Sequence, residues 1–147
     1  MSQAEAELSQ VVGYVLKQAA TALRAGMDDV LRPLELSVPQ YACLELLGER
    51  PGLSNAELAR GAFVTRQSMN GVLRGLQERG LVTRPSTAPH GRALPSQLTA
   101  AGHRKLTTAR TAVRAVEQRM LAHLGAPEQR RLRNDLAKCV AALESAR

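Results

Sequence analysis

Two short helical patterns in the middle of the chain constrain its fold more than any other feature. In the first, Ser54 followed three residues later by Glu57 is a capping-box pattern, and Gly61 is placed to end the helix. The second pattern begins after Thr65, an N-cap residue type, and ends at Gly80. Its apolar residues recur at helical spacing, namely Met69, Val72, Leu73 and Leu76. Two short helices joined by a tight turn indicate a helix-turn-helix.

The face of the second helix opposite its apolar stripe is polar and nearly free of acids. A solvated helix face would more often carry Glu and Lys, which are good helix formers. Here the side chains are amides, a hydroxyl and a guanidinium, which can exchange hydrogen bonds with base edges: Gln67, Ser68, Asn70 and Arg74. Gly71 lowers helix stability on the same face without an evident packing reason. We therefore predict that this face enters a nucleic-acid groove, with a merely solvated face as the alternative.

A proline-stiffened stretch, TRPSTAPHGRALPSQLT at 83–99, interrupts a chain that is otherwise helical. The runs LVTRP and RALPSQLT flank a polar tip and predict a two-stranded hairpin. Because an isolated hairpin is only marginally stable, this one must pack on the helices or dock on a partner. Arg92 at the tip is placed to reach an adjacent minor groove. The alternative for Arg92 is an exposed side chain on a flexible loop.

Positive charge is concentrated in one third of the chain. The formal net charge is +7, and residues 54–104 hold seven arginines against two glutamates. A basic segment of this kind favours a polyanionic partner over a merely solvated face. The arginines that we assign to phosphate neutralisation are Arg60, Arg66, Arg74, Arg79 and Arg84.

Both ends of the chain are predicted to be helical. A long amphipathic helix is expected over 4–31, and Ser37 with Gln40 begins a short helix that ends at Gly48. Thr99 is placed to cap another long helix, and Pro127 to open the last one. A central segment of some 60 residues cannot cover three long amphipathic helices, so we predict a two-fold homodimer. The alternative is an intramolecular helical bundle.

The predicted fold is therefore mainly α with a small two-stranded β-hairpin wing. Residues 1–33 and 99–147 form the helical dimerisation region, and residues 34–98 form a winged helix-turn-helix, all in one folding unit. The chain has no apolar run of the 18 or so residues that span a bilayer and no secretion signal at its acidic start, so we expect a cytoplasmic protein without membrane contact.

Several other classes of function fit the sequence poorly. None of the three histidines, His90, His103 and His123, has a partner at metal-ligand spacing, and the last two are predicted to lie on the long helix. The sequence also has no catalytic motif. We therefore predict no metal, no cofactor and no enzymatic activity. Aromatic residues make up 2% of the chain, too few for stacking on single strands or RNA. Cys43 and Cys139 are predicted to be buried thiols. A thiol-based redox regulator and a protein-interaction module with a basic face remain as alternatives.

With these pieces in order, the sequence resembles the MarR family of winged helix-turn-helix regulators from about residue 31 to 124. The matching segments are LRPLELSVPQYACLELL, LSNAELARGAFVTRQSMNGVLRGLQERGLVTR and HGRALPSQLTAAG. The resemblance implies a homodimer that binds double-stranded DNA, usually represses a neighbouring promoter, and is in many members released by a small aromatic or phenolic effector. An effector pocket would lie between the terminal helices and the winged domain, where Tyr14 and Tyr41 are candidate lining residues and core packing is their alternative role.

The resemblance also assigns residues to the DNA interface. The groove-entering part of the recognition helix would hold Thr65, Arg66, Gln67, Ser68 and Asn70. Arg92 would match the arginine of the family's wing. The family usually has Asp two residues before that arginine, whereas this chain has His90, so we expect a looser wing or a weaker minor-groove contact. The alternative is that protonated His90 contacts phosphate instead.

Overall fold

The computed structural model describes residues 1–84 and 95–145, and these form seven helices and one small sheet. The predicted class, mainly α with a two-stranded wing, is confirmed. The helices are α1 (Gln3–Leu8), α2 (Val12–Leu31), α3 (Val38–Glu49), α4 (Asn55–Gly61), α5 (Arg66–Glu78), α6 (Ala100–Met120) and α7 (Ala126–Glu144). A 3-10 turn, Arg32–Leu34, follows α2, and the strands are β1 (Val82–Thr83) and β2 (Gln97–Leu98).

Side-chain caps begin four of these helices where the sequence predicts them. Ser37 and Ser54 each accept a hydrogen bond from the backbone N–H three residues on, and Gln40 and Glu57 return it, so both capping boxes are complete. Thr65 and Thr99 cap α5 and α6 in the same way, without the return bond. Each cap satisfies backbone donors that a helix start otherwise leaves unpaired.

One continuous apolar core joins the helix-turn-helix to α2, α3 and α6. Leu58 of α4 and Leu73 of α5 are almost completely buried, as are Leu44 of α3 and Leu106 of α6. The N–H of Leu36, at the end of the 3-10 turn, bonds to the carbonyl of Leu31, which is fully buried. The core therefore sets the orientation of α5 relative to α3 and α6.

The two strands of the wing, β1 and β2, form a short antiparallel ladder next to the core. Val82 pairs with Leu98, and Thr83 with Gln97. The backbone of Ser96 extends this ladder to the loop before α4, because its carbonyl accepts from Gly52 N at 2.9 Å and its N–H donates to Leu53 at 3.2 Å. The predicted hairpin is confirmed in type, although its strands are only two residues long, and its tip lies outside the described residues.

The ends of the chain depart from the sequence-based predictions in two places. The expected helix over 4–31 is divided, because Ser9 bonds back to Ala6 and Val11 is extended, so that α2 starts only at Val12. His123 was placed on the long helix, but it lies in the turn between α6 and α7.

The prediction that Cys139 is a buried thiol is wrong for the single subunit. Cys43 is fully buried in α3, whereas Cys139 is exposed on α7. No residue of α7, which the structure describes in full, is buried, and the large apolar side chains Leu132, Leu136, Val140 and Leu143 stay exposed by 37% or more. Among residues 1–84 and 95–145, no helix is long and apolar enough to cross a membrane.

Candidate nucleic-acid interface

The helix-turn-helix presents one face of α5 to solvent and buries the other. Met69, Leu73 and Leu76 have almost no exposed surface and hold the helix on the core. The opposite face is exposed along its length, and its polar side chains belong to Thr65, Arg66, Gln67, Ser68, Asn70 and Arg74. The structure therefore brings together all six residues that the sequence assigns to the recognition helix.

The first turn of α5 holds its own hydroxyl groups in place. Thr65 Oγ1 accepts from the backbone N–H of Ser68 and donates to Ser68 Oγ, each at 3.0 Å. The Ser68 hydroxyl then accepts from Thr65 and keeps its own proton for an outside acceptor. Arg66 and Gln67 lie between them, exposed, in the turn where free backbone N–H groups favour phosphate.

Asn70 is held by Asn55, a residue that the sequence pattern does not single out. Asn55, at the start of α4, donates from Nδ2 to Asn70 Oδ1 across the two helices of the motif. The bond leaves the amide N–H groups of Asn70 free to donate toward a base edge. Sequence reasoning could find this pair only by docking α4 against α5, since the two residues are 15 positions apart.

The predicted phosphate-contacting residues have different environments. Arg60, Arg66 and Arg74 are exposed, and Arg60 lies in the last turn of α4. Arg79 donates from Nη1 to the backbone carbonyl of Glu35 at 2.6 Å, which ties the end of α5 to the 3-10 turn. Arg84, just after β1, is half-buried. His90 and Arg92, the predicted wing contacts, lie outside the described residues.

A second candidate site is a cavity of about 350 Å³ between α2, α3 and α6. Tyr41 lines it with Glu45, and its hydroxyl donates to Glu45 Oε2 at 2.9 Å. Arg110 of α6 closes the group, because its Nε lies 3.0 Å from both Glu45 oxygens. Burial, and then the hydrogen bond to Glu45, raise the pKa of Tyr41 above its usual value, so the phenol stays protonated.

The two candidate effector residues lie apart. Among the described residues that line the cavity, Tyr41 is present and Tyr14 is not. The Tyr14 side chain, on α2, is 37% exposed. Leu23, which does line the cavity, is nine positions further along α2, so Tyr14 lies roughly 13 Å from it along the helix axis. The roles of Glu45 and Arg110 have no signal in the sequence, because their pairing links positions 65 residues apart.

Comparison with known proteins agrees with this architecture. A family model described as MarR family matches residues 34–93. The HTH-type transcriptional repressor Rv2887 of Mycobacterium tuberculosis is 46% identical over 127 residues, which cover 86% of this chain and 91% of that protein.

Solved structures of that repressor share the fold. The complex of Rv2887 with DNA is 43% identical, covers 87% of this chain and 96% of its own, and superimposes with a TM-score of 0.74. The complex of Rv2887 with salicylic acid is 45% identical, covers 87% and 95%, and has a TM-score of 0.73. With its identity to that repressor and its shared winged helix-turn-helix, this chain belongs to the MarR family of transcriptional regulators.

Proposed function

We propose that this chain is a homodimeric repressor that binds a palindromic operator in double-stranded DNA through α5 and the wing. The observation that carries the proposal is the exposed polar face of α5, mounted on a fully buried apolar face and almost free of acidic groups. The relatives named as repressors, and the relative solved with DNA, support the same function.

The interface divides into residues that read bases and residues that hold the DNA backbone. Gln67, Ser68 and Asn70 supply donors and acceptors for base edges. The Thr65 side chain orients the first turn of α5 through its hydrogen bonds to Ser68. Phosphate neutralisation, which sets affinity and its salt dependence, is assigned to the arginines on or beside the motif and to the wing: Arg60, Arg66, Arg74, Arg79, Arg84, His90 and Arg92.

The terminal helices supply the second half of the proposal. Residues 1–33 and 99–147 form the dimerisation region, and residues 34–98 form the DNA-binding domain. Large apolar side chains on α2 and α7 stay exposed in the single subunit, Val12 by 75% and Leu143 by 74%. A second copy of the chain covers them and sets two recognition helices about 34 Å apart, one turn of B-DNA.

Selection of bound sequences from a random duplex pool tests this function directly. We expect a palindrome whose half-sites are one helical turn apart, or a multiple of it. Arg66→Ala is expected to weaken binding to the selected duplex and to lower the slope of log affinity against log salt by about one phosphate contact. Recovery of unrelated sequences, bound no better than the starting pool, would show that the protein is not a sequence-specific DNA binder.

We assign the effector site of this repressor to the cavity beside Tyr41. Its volume suits a molecule with one aromatic ring, and the Arg110 guanidinium provides a bidentate partner for a carboxylate. The relative solved with salicylic acid supports a ligand of this class. A bound aromatic acid competes with Glu45 for Arg110 and so changes how α3, which packs on α5, is held against α6.

A titration of the operator complex with salicylate tests the effector assignment. We expect salicylate to release the wild-type protein from DNA at concentrations that leave Arg110→Gln bound. Tyr14→Phe serves as the control, because Tyr14 lies away from the cavity and its variant should respond as the wild type does. Equal release of all three proteins would show that the effector binds outside this cavity.

A further inference from the structure

The turn between α4 and α5 has a backbone conformation that usually requires glycine. After Ala62 ends α4, the N–H of Phe63 bonds to Arg60 at 3.3 Å and that of Val64 to Ala59 at 3.0 Å. These two bonds define a Schellman motif, in which the residue after the C-cap adopts a left-handed conformation. Phe63 occupies that position with φ of 60°.

The same motif recurs twice in the described chain and shows what the position requires. After α5, Gly80 has φ of 71°, and the N–H of Leu81 bonds to Leu76. After the 3-10 turn, Glu35 has φ of 58°, and the N–H of Leu36 bonds to Leu31. A residue with a Cβ is strained at such a position, and a bulky aromatic residue is an unusual occupant.

Little packing within the described part of the chain offsets this strain, because the Phe63 side chain is almost entirely exposed. It is 93% exposed, and it is the one exposed large hydrophobic residue among the described positions of 34–98. The other exposed large hydrophobic residues that the structure describes lie at the chain ends, on or beside the helices of the dimerisation region. A phenyl group that is both strained and solvated therefore points to a contact with another molecule.

The neighbours of Phe63 indicate what that molecule is. Phe63 lies two residues before Thr65, the N-cap of the recognition helix, so it belongs to the turn that leads into the helix proposed to enter the groove. Arg60 and Arg66, three residues to either side, are both exposed. An aromatic ring with an exposed arginine three positions to either side suits a polyanion that has apolar faces between its phosphates. DNA offers thymine methyl groups and deoxyribose rings.

We infer that Phe63 is a DNA-contacting residue, which packs its ring on an apolar face of the operator at the edge of the groove while Arg60 and Arg66 hold the flanking phosphates. This inference rests on the proposed function. It adds an uncharged apolar contact to an interface that is otherwise built from hydrogen bonds and ion pairs. The left-handed turn serves to hold the ring outward, beside the first turn of α5.

The variant Phe63→Gly tests the inference, because it removes the ring and relieves the backbone strain together. We expect it to raise the thermal unfolding midpoint, because glycine adopts the left-handed conformation without strain. We also expect it to weaken binding of the selected operator by about tenfold, because a largely buried aromatic contact is lost. Its salt slope should equal that of the wild type, because a phenyl group neutralises no phosphate, whereas Arg66→Ala should change the slope. Phe63→Leu should retain most of the affinity.

Glu35→Gly is the matched control, since it relieves the same strain at the turn before α3 and keeps the backbone carbonyl that Arg79 contacts, so it should leave DNA affinity unchanged. An operator with deoxyuridine in place of thymine distinguishes the two apolar faces. If the ring contacts a methyl group, this change weakens binding by the wild type more than binding by Phe63→Gly. If the ring contacts deoxyribose, the change affects the two proteins equally. Wild-type binding with unchanged affinity in Phe63→Gly would overturn the inference and leave the ring to a protein partner. Failure of the wild type to bind any duplex would instead overturn the proposed function.

Discussion

At the scale of single residues, the recognition face depends on side chains that are held before DNA arrives. The Asn70 amide is bonded to Asn55, and the Thr65 hydroxyl is bonded to Ser68. Rotation of a free amide would present its donor and its acceptor to a base edge about equally. A held amide presents one of them, so less conformational entropy is lost on binding and the wrong base is rejected more strongly.

The Asn55–Asn70 pair gives the first prediction. Asn55→Ala should reduce discrimination at the base pair that Asn70 reads, because Asn70 can then turn its carbonyl toward the groove. The loss should be a fraction of the roughly 1 to 3 kcal/mol that a good base contact supplies. Affinities for operators varied at single base pairs measure it, in a double-mutant cycle with Asn70→Ala. Additive effects of the two substitutions would contradict a positioning role for Asn55.

Cys43 gives a prediction about pH. Burial raises the pKa of its thiol from 9.0 to about 12. Between these values the unfolded chain has lost the proton and the folded chain has kept it, so the free energy of unfolding should fall as pH rises above 9. Below pH 9 the effect is absent, because the thiol is protonated in both states.

Urea unfolding of the wild type and of Cys43→Ala between pH 8 and 11 measures this effect. Tyr41, whose pKa is also raised, contributes in the same direction in both proteins, so the difference between their slopes isolates Cys43. A buried thiol with a raised pKa is also a poor nucleophile, which counts against Cys43 as a redox sensor. Equal slopes in the two proteins would show that the thiol ionises without unfolding.

At the scale of elements, the recognition helix has a glycine where its groove face would gain stability from another residue. A Cβ added at Gly71 meets no atom within 4 Å. The absence of an internal contact agrees with the sequence-based reading that Gly71 has no packing role in the subunit. A close approach of the α5 backbone to DNA would explain why the position has no side chain.

Gly71→Ala should therefore stabilise the folded protein by about 0.5 to 1 kcal/mol and weaken its binding to the operator. Denaturant unfolding measures the first effect and a gel-shift titration the second. Gly102→Ala is the contrasting variant, because its Cβ would overlap the Leu81 carbonyl oxygen where α6 meets the wing, and it should destabilise the fold. A Gly71→Ala protein that binds DNA as the wild type does would remove the close-approach explanation.

At the scale of the whole molecule, the exposed apolar stripe of α7 requires a partner. Leu132, Leu136, Val140 and Leu143 line one side of the helix and are exposed by 37% or more. An apolar cavity lies between this stripe, the start of α2 and the end of α6, next to Val12 and Met120. A single subunit leaves much of this apolar surface exposed to water, whereas a two-fold dimer would bury it.

Leu136→Glu should dissociate the dimer, because it places a charge in the middle of the stripe without a partner. Sedimentation should then give the mass of one chain, and operator affinity should fall by several orders of magnitude as the second half-site is lost. Lys138→Glu is the control, since its side chain is 82% exposed and points away from the stripe. A Leu136→Glu protein that remains dimeric would place the interface elsewhere.

The order and limits of the elements follow from the sequence alone. Ser37, Ser54, Thr65 and Thr99 start helices where predicted, because a cap is decided by groups within three residues of each other. The apolar spacing of α5 likewise identified its buried side, since a helix must bury that stripe to be stable in a protein.

Only the tertiary structure decided which distant side chains meet and which stay exposed. Asn55 reaches Asn70, and Arg110 reaches Glu45, because helix packing brings together positions far apart in the chain. The exposure of Phe63 depends on the conformation of the turn in which it lies. The exposure of Cys139 depends on what α7 packs against. Local free energy therefore determines where helices begin, whereas burial and pairing depend on the summed packing of the whole core, which no short stretch of sequence contains.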